Sequence, residues 1–148
     1  MTKYNTYTLE NGLRLIHLPS PSQVVFCGYD IAAGTRDELP GEEGIAHFCE
    51  HMTFKGTARR HALQIINALE GVGGDLNAFT NKEDTVFYAA ISKEHFAKAV
   101  DVLTDIVFHS EYPQHEIDKE VDNKSPSSQG YGFFSSLVWI RELDYKES

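Results

Sequence analysis

Residues 44–57 read Gly-Ile-Ala-His-Phe-Cys-Glu-His-Met-Thr-Phe-Lys-Gly-Thr. Ile45, Phe48 and Met52, with Cys49 beside them, recur at helical spacing, which predicts a helix with one face in a core. His47 and His51 lie four residues apart. On a helix their imidazoles project from one face, a turn apart, and reach a single metal ion. Glu50 stands one residue before the second histidine, close enough to hold a water on that ion. The order H-x-x-E-H, the reverse of H-E-x-x-H, points to zinc and to hydrolysis by an activated water. The plain alternative is a polar helix with two surface histidines. A helix that buries two histidines and a glutamate near its core face must supply them with partners, and a metal does so.

Upstream, Tyr7-Thr8-Leu9 and Leu13-Arg14-Leu15-Ile16 alternate around Asn11-Gly12, which predicts a hairpin over residues 4–18. After the loop Pro19-Ser20-Pro21-Ser22, residues 24–33 form an apolar run that suits a central strand. Residues 34–44 read as an acidic loop leading into the metal helix. Downstream, Ala62, Ile65, Ile66 and Leu69 mark a second helix, ended by Gly71, Gly73 or Gly74 at a left-handed cap. Strands follow at residues 75–80 and 85–91, joined by a polar turn. Ser92 is expected to cap a third helix with Phe96, Val100, Leu103 and Val107 on its core face. Tyr112-Pro113 breaks the chain, and a fourth helix starts near Glu116. This order gives an α+β fold, with helices layered on a largely antiparallel sheet.

The 148 residues suffice for one domain with a real core. A net charge of −9 argues against nucleic acid as a partner. Cys27 and Cys49 both sit in apolar runs and read as reduced, buried thiols. No apolar stretch approaches a membrane span, and the first residues carry no secretory signal, so the expected location is cytoplasmic.

With these elements in place, the chain resembles the pitrilysin/insulinase family of zinc metallopeptidases, the inverzincins that include mitochondrial processing peptidases. The matching text is Asn11-Gly12-Leu13-Arg14, Ala33-Gly34-Thr35-Arg36-Asp37-Glu38, residues 44–57, Leu76-Asn77-Ala78-Phe79-Thr80 and Glu116-Ile117-Asp118-Lys119-Glu120. The resemblance implies Zn2+ held by His47 and His51, with Glu50 as the general base. It implies that Glu120 supports the site without necessarily binding metal. It also implies that Leu76, Asn77, Ala78, Phe79 and Thr80 form an edge strand that binds a peptide or unfolded protein substrate by β-augmentation. On the residues alone, Glu120 reads equally as a surface acid, and the strand as an ordinary edge protected by Asp75 and Asn77.

The likeness runs over about residues 4–122, so residues 1–122 are expected to form the family's N-terminal domain and 123–148 a divergent segment. Where the family carries a third ligand, a glutamate on a later helix, this chain has Ser127 within Asn123-Lys124-Ser125-Pro126-Ser127-Ser128-Gln129-Gly130. Pro126 should stop such a helix. Glu116, Glu120 and Glu142 are the other acids on offer. Family members build a closed chamber from several such domains, so the expected partner is a missing second half or another subunit. The isolated chain is then expected to be an incomplete peptidase. Its alternatives are an inactive remnant and a peptide-binding or subunit-interaction module.

Overall fold

A computed structural model describes residues 3–123 and 136–142. The Asn11-Gly12 turn closes as its sequence dictates. Gly12 takes φ +85°, where a glycine costs nothing, and the Asn11 side chain accepts from the Leu13 N–H at 3.1 Å. It joins β1 (Asn5–Thr8) to β2 (Arg14–Leu18) in antiparallel register, Thr8 opposite Arg14. Strand β3 (Val24–Ile31) crosses the middle of the sheet. Helices α1 (Ile45–Thr53) and α2 (Ala62–Glu70) precede β4 (Asp75–Thr80) and β5 (Thr85–Ser92). Then come α3 (Phe96–Phe108), α4 (Gln114–Asn123) and β6 (Ser136–Glu142). The sheet order is β1-β2-β6-β3-β5-β4. All pairings are antiparallel except β2 with β6. The α+β architecture with a largely antiparallel sheet is therefore the one expected.

One face of the sheet carries the core. Cys27 and Tyr29 of β3 and Phe87, Ala89 and Ile91 of β5 share a side, as strand periodicity requires. Against them pack Ile65 and Leu69 of α2 and Ala99, Val102, Leu103 and Ile106 of α3. Burial lifts the Cys27 thiol to about 12, so it stays protonated and inert at neutral pH. Iodoacetamide at pH 8, read by intact mass, should therefore leave Cys27 unmodified in the folded protein. An adduct on Cys27 without unfolding would show that β3 opens.

Two helix faces differ from expectation. In α2, Ile65 and Leu69 are buried, but Ile66 is 39% exposed, one step off the stripe. The core face of α3 is Ala99, Val102, Leu103 and Ile106, while Phe96, Val100 and Val107 only flank it. A 3-10 turn at Lys93–His95 precedes α3, and His95 rather than Ser92 occupies its N-cap. Asp105 also lies on the inner side of α3, with its side chain fully buried. Thr57 Oγ1 and Arg60 donate to Asp105 Oδ2 at 2.9 and 2.6 Å, and Arg60 also pairs with Asp101. This polar contact fastens the loop after α1 to α3. Strand β6 was not expected from the sequence. It inserts between β2 and β3, with Trp139 opposite Gly28. Among the described residues no helix is long and apolar enough to cross a membrane.

Candidate metal centre

The acidic loop builds the start of α1. Gly44 precedes the helix at φ +92° and offers no side chain to cap it. Glu38 does so from six residues upstream. Its two carboxylate oxygens each accept at 3.0 Å, from the N–H groups of Gly44 and Ala46. A carboxylate there meets both the unpaired amides and the positive end of the helix dipole.

Only part of the apolar stripe of α1 is deeply buried. Met52 is wholly enclosed, and Ile45 and Phe48 are half-buried. The expectation that this helix encloses both histidines holds less well. The side chains of His47 and His51 are 48% and 38% exposed, against 10% for Glu50. Helix α1 lies over β4, at the sheet margin, so its histidine-bearing side opens outward.

The donors nevertheless converge. The imidazole rings of His47 and His51 stand 4.3 Å apart between centroids. One donor atom from each of His47, Glu50 and His51 falls within 4.8 Å of the others. Two imidazoles and a carboxylate at this spacing fit a zinc ion, which takes nitrogen and oxygen donors and in catalytic sites keeps one position open. Glu50 Oε2 lies 3.6 Å from His47 Nδ1 and accepts a short hydrogen bond from Thr80 Oγ1 at the end of β4.

Helix α4 brings Glu120 to the far side of His51, with Oε2 at 3.9 Å from Nδ1. Lys55 Nζ holds the other oxygen of Glu120 at 3.0 Å and lies 3.9 Å from Glu116. Glu116 ionises below the usual carboxylate range, first because Lys119 donates to it and then through the charges of Lys119, Lys55 and His115. Lys55 thus ties α4 to α1, a role that its position in the motif does not reveal. Tyr112 precedes α4 at φ +47°, and its hydroxyl lies 3.5 Å from Thr53 Oγ1 of α1.

Leu76, Ala78 and Thr80 alternate toward the helices, and Asp75, Asn77 and Phe79 toward the open face. Strand β4 pairs with β5 on one side and ends the sheet on the other. Ser127, Pro126 and the rest of residues 124–135 lie outside the described residues, as does the Glu142 side chain.

Comparison with known proteins places the chain in a family. Residues 15–129 match the family model described as Insulinase (Peptidase family M16). The chain is 44% identical over 115 residues to the "Uncharacterized zinc protease YmxG" of Bacillus subtilis, covering 77% of this chain and 28% of that protein. It is 40% identical over 121 residues to the mitochondrial-processing peptidase subunit beta of Neurospora crassa, covering 81% of this chain and 25% of that one. The solved structure of a protease from Helicobacter pylori superimposes with a TM-score of 0.79 at 26% identity, over 82% of this chain and 30% of that chain. The chain therefore spans less than a third of the length of these relatives. A match over residues 15–129, a range that includes the helix presenting His47, Glu50 and His51, makes this chain a member of the insulinase family of peptidases, family M16.

Proposed function

We propose that this chain carries the metal- and base-bearing part of a zinc metallopeptidase. The observation that carries the reading is the convergence of His47, Glu50 and His51 within 4.8 Å on the outward side of α1, beside an edge strand. His47 and His51 would hold the ion. Bound zinc supplies Lewis acidity and brings the pKa of a water near neutrality. Glu50 takes the proton from the attacking water and passes it to the leaving amine, so the carboxylate ends the cycle as it began. Glu120, fixed by Lys55, would support the site as a negative charge outside the ligand shell, its Oε2 3.9 Å from His51 Nδ1. An extended peptide would add to β4 through backbone hydrogen bonds, a mode that reads shape more than side chains. Two histidines leave the usual three-ligand shell short by one, and a further acid of this chain or a group from another subunit would complete it.

The test is a calorimetric zinc titration of metal-free protein. One equivalent should bind, and His47→Ala should remove it. No binding by the wild-type chain would overturn the metal reading. The open edge of β4 favours one further reading, a peptide-interaction module. Peptide affinity unchanged by EDTA, together with absent zinc binding, would select it.

A further inference from the structure

The family likeness places Thr80 among peptide-binding residues, yet its side chain turns away from the open face and toward α1. Its hydroxyl makes the one hydrogen bond that the Glu50 side chain has among the described residues. Distance alone does not separate a ligand from a base here. Glu50 belongs to the same 4.8 Å group as the two imidazoles, and carboxylate oxygens ligate zinc at lengths close to those of imidazole nitrogens. The terminal torsion of a glutamate is soft, so its oxygens need an external hold.

Thr80 supplies a stiff one. Its β-branched side chain has few rotamers, and its backbone is paired with Thr85 of β5. The turn that follows is itself pinned. The N–H groups of Thr35 and Arg36 donate to the carbonyls of Asn81 and Lys82 at 3.0 and 2.9 Å. Arg36 pairs with Glu83 across the same contact. Nearby His47 Nδ1, at 3.6 Å, is too far from Oε2 to replace the hydroxyl.

We infer that Thr80 is a positioning residue that keeps Glu50 off the ion and in place as the base. This inference rests on the zinc-peptidase reading above, and its test separates the two. Co2+ added to the full chain serves as the probe, read by its visible absorption. Thr80→Val removes the hydroxyl at nearly constant shape, Thr80→Ala is a second deletion, and Thr80→Ser keeps the donor. Both deletions should shift the Co2+ bands as Glu50 joins the ligands, whereas Thr80→Ser should not. Adding Glu50→Gln to Thr80→Val should abolish the shift. In peptide cleavage, the deletions should lower kcat by about tenfold or more with KM little changed, and Thr80→Ser should restore it. Bound Co2+ with superimposable spectra in wild type and both deletions would overturn the role of Thr80 and leave the metal site standing. Absence of Co2+ binding by the wild type would overturn the metal reading, and this inference with it.

Discussion

Glu50→Gln should abolish peptide hydrolysis and leave the metal bound. The amide keeps the shape of the carboxylate, and its oxygen still accepts from Thr80, so α1 and β4 should stay docked. What disappears is the proton acceptor. Loss of a positioned general base typically costs 10²- to 10⁴-fold, roughly, in the chemical step. A quenched fluorescent peptide incubated with the zinc-loaded protein checks this, with calorimetry on the same sample to confirm the metal. Cleavage at the wild-type rate by a clean Glu50→Gln preparation would remove Glu50 as the base. Loss of zinc along with activity would instead mark Glu50 as a ligand.

The largest effect on stability should come from Asp105→Ala. Its carboxylate is fully buried and accepts from Thr57 and Arg60, and the Arg60 side chain is itself only 18% exposed. Its second oxygen lies 3.8 Å from His109 Nδ1 and makes no hydrogen bond among the described residues. Breaking such a contact strands a guanidinium and a hydroxyl that the fold has withdrawn from water. The expected cost is about 3 kcal/mol, because Arg60 retains Asp101 and part of its solvent contact. Urea unfolding followed by circular dichroism measures it. A change below about 0.5 kcal/mol, the range of ordinary surface substitutions, would show that the network contributes nothing net.

The same residue marks a limit of the sequence. Local patterns placed the hairpin at Asn11-Gly12, the run of β3 and the pair β4–β5, because turn chemistry and period-2 alternation act over a few residues. The helix that brings His47, Glu50 and His51 together was legible for the same reason, since i to i+4 spacing is a local fact. The faces of α2 and α3 were read less well. The arginine that lets Asp105 turn inward lies 45 positions away, so the true stripe is rotated from the purely apolar one. Thr80 meets Glu50 across 30 positions, which no window along the chain can show. In β6, Leu137-Val138-Trp139-Ile140 did carry a strand signal of β-branched and aromatic residues.

Gly34 shows how far the packing behind Glu50 reaches into tolerance to mutation. A Cβ at this position would stand 2.5 Å from backbone atoms of both Asn81 and Lys82. No rotamer change relieves a clash with main chain, so any side chain must push the turn away. Because Thr80 is the residue just before that turn, the displacement arrives at the hydroxyl that holds Glu50. Position 34 bears no chemistry and lies outside every helix and strand, yet it is closed to drift. Alanine, the smallest possible trespass, should therefore shift the turn and, through it, the Thr80 hydroxyl beside Glu50.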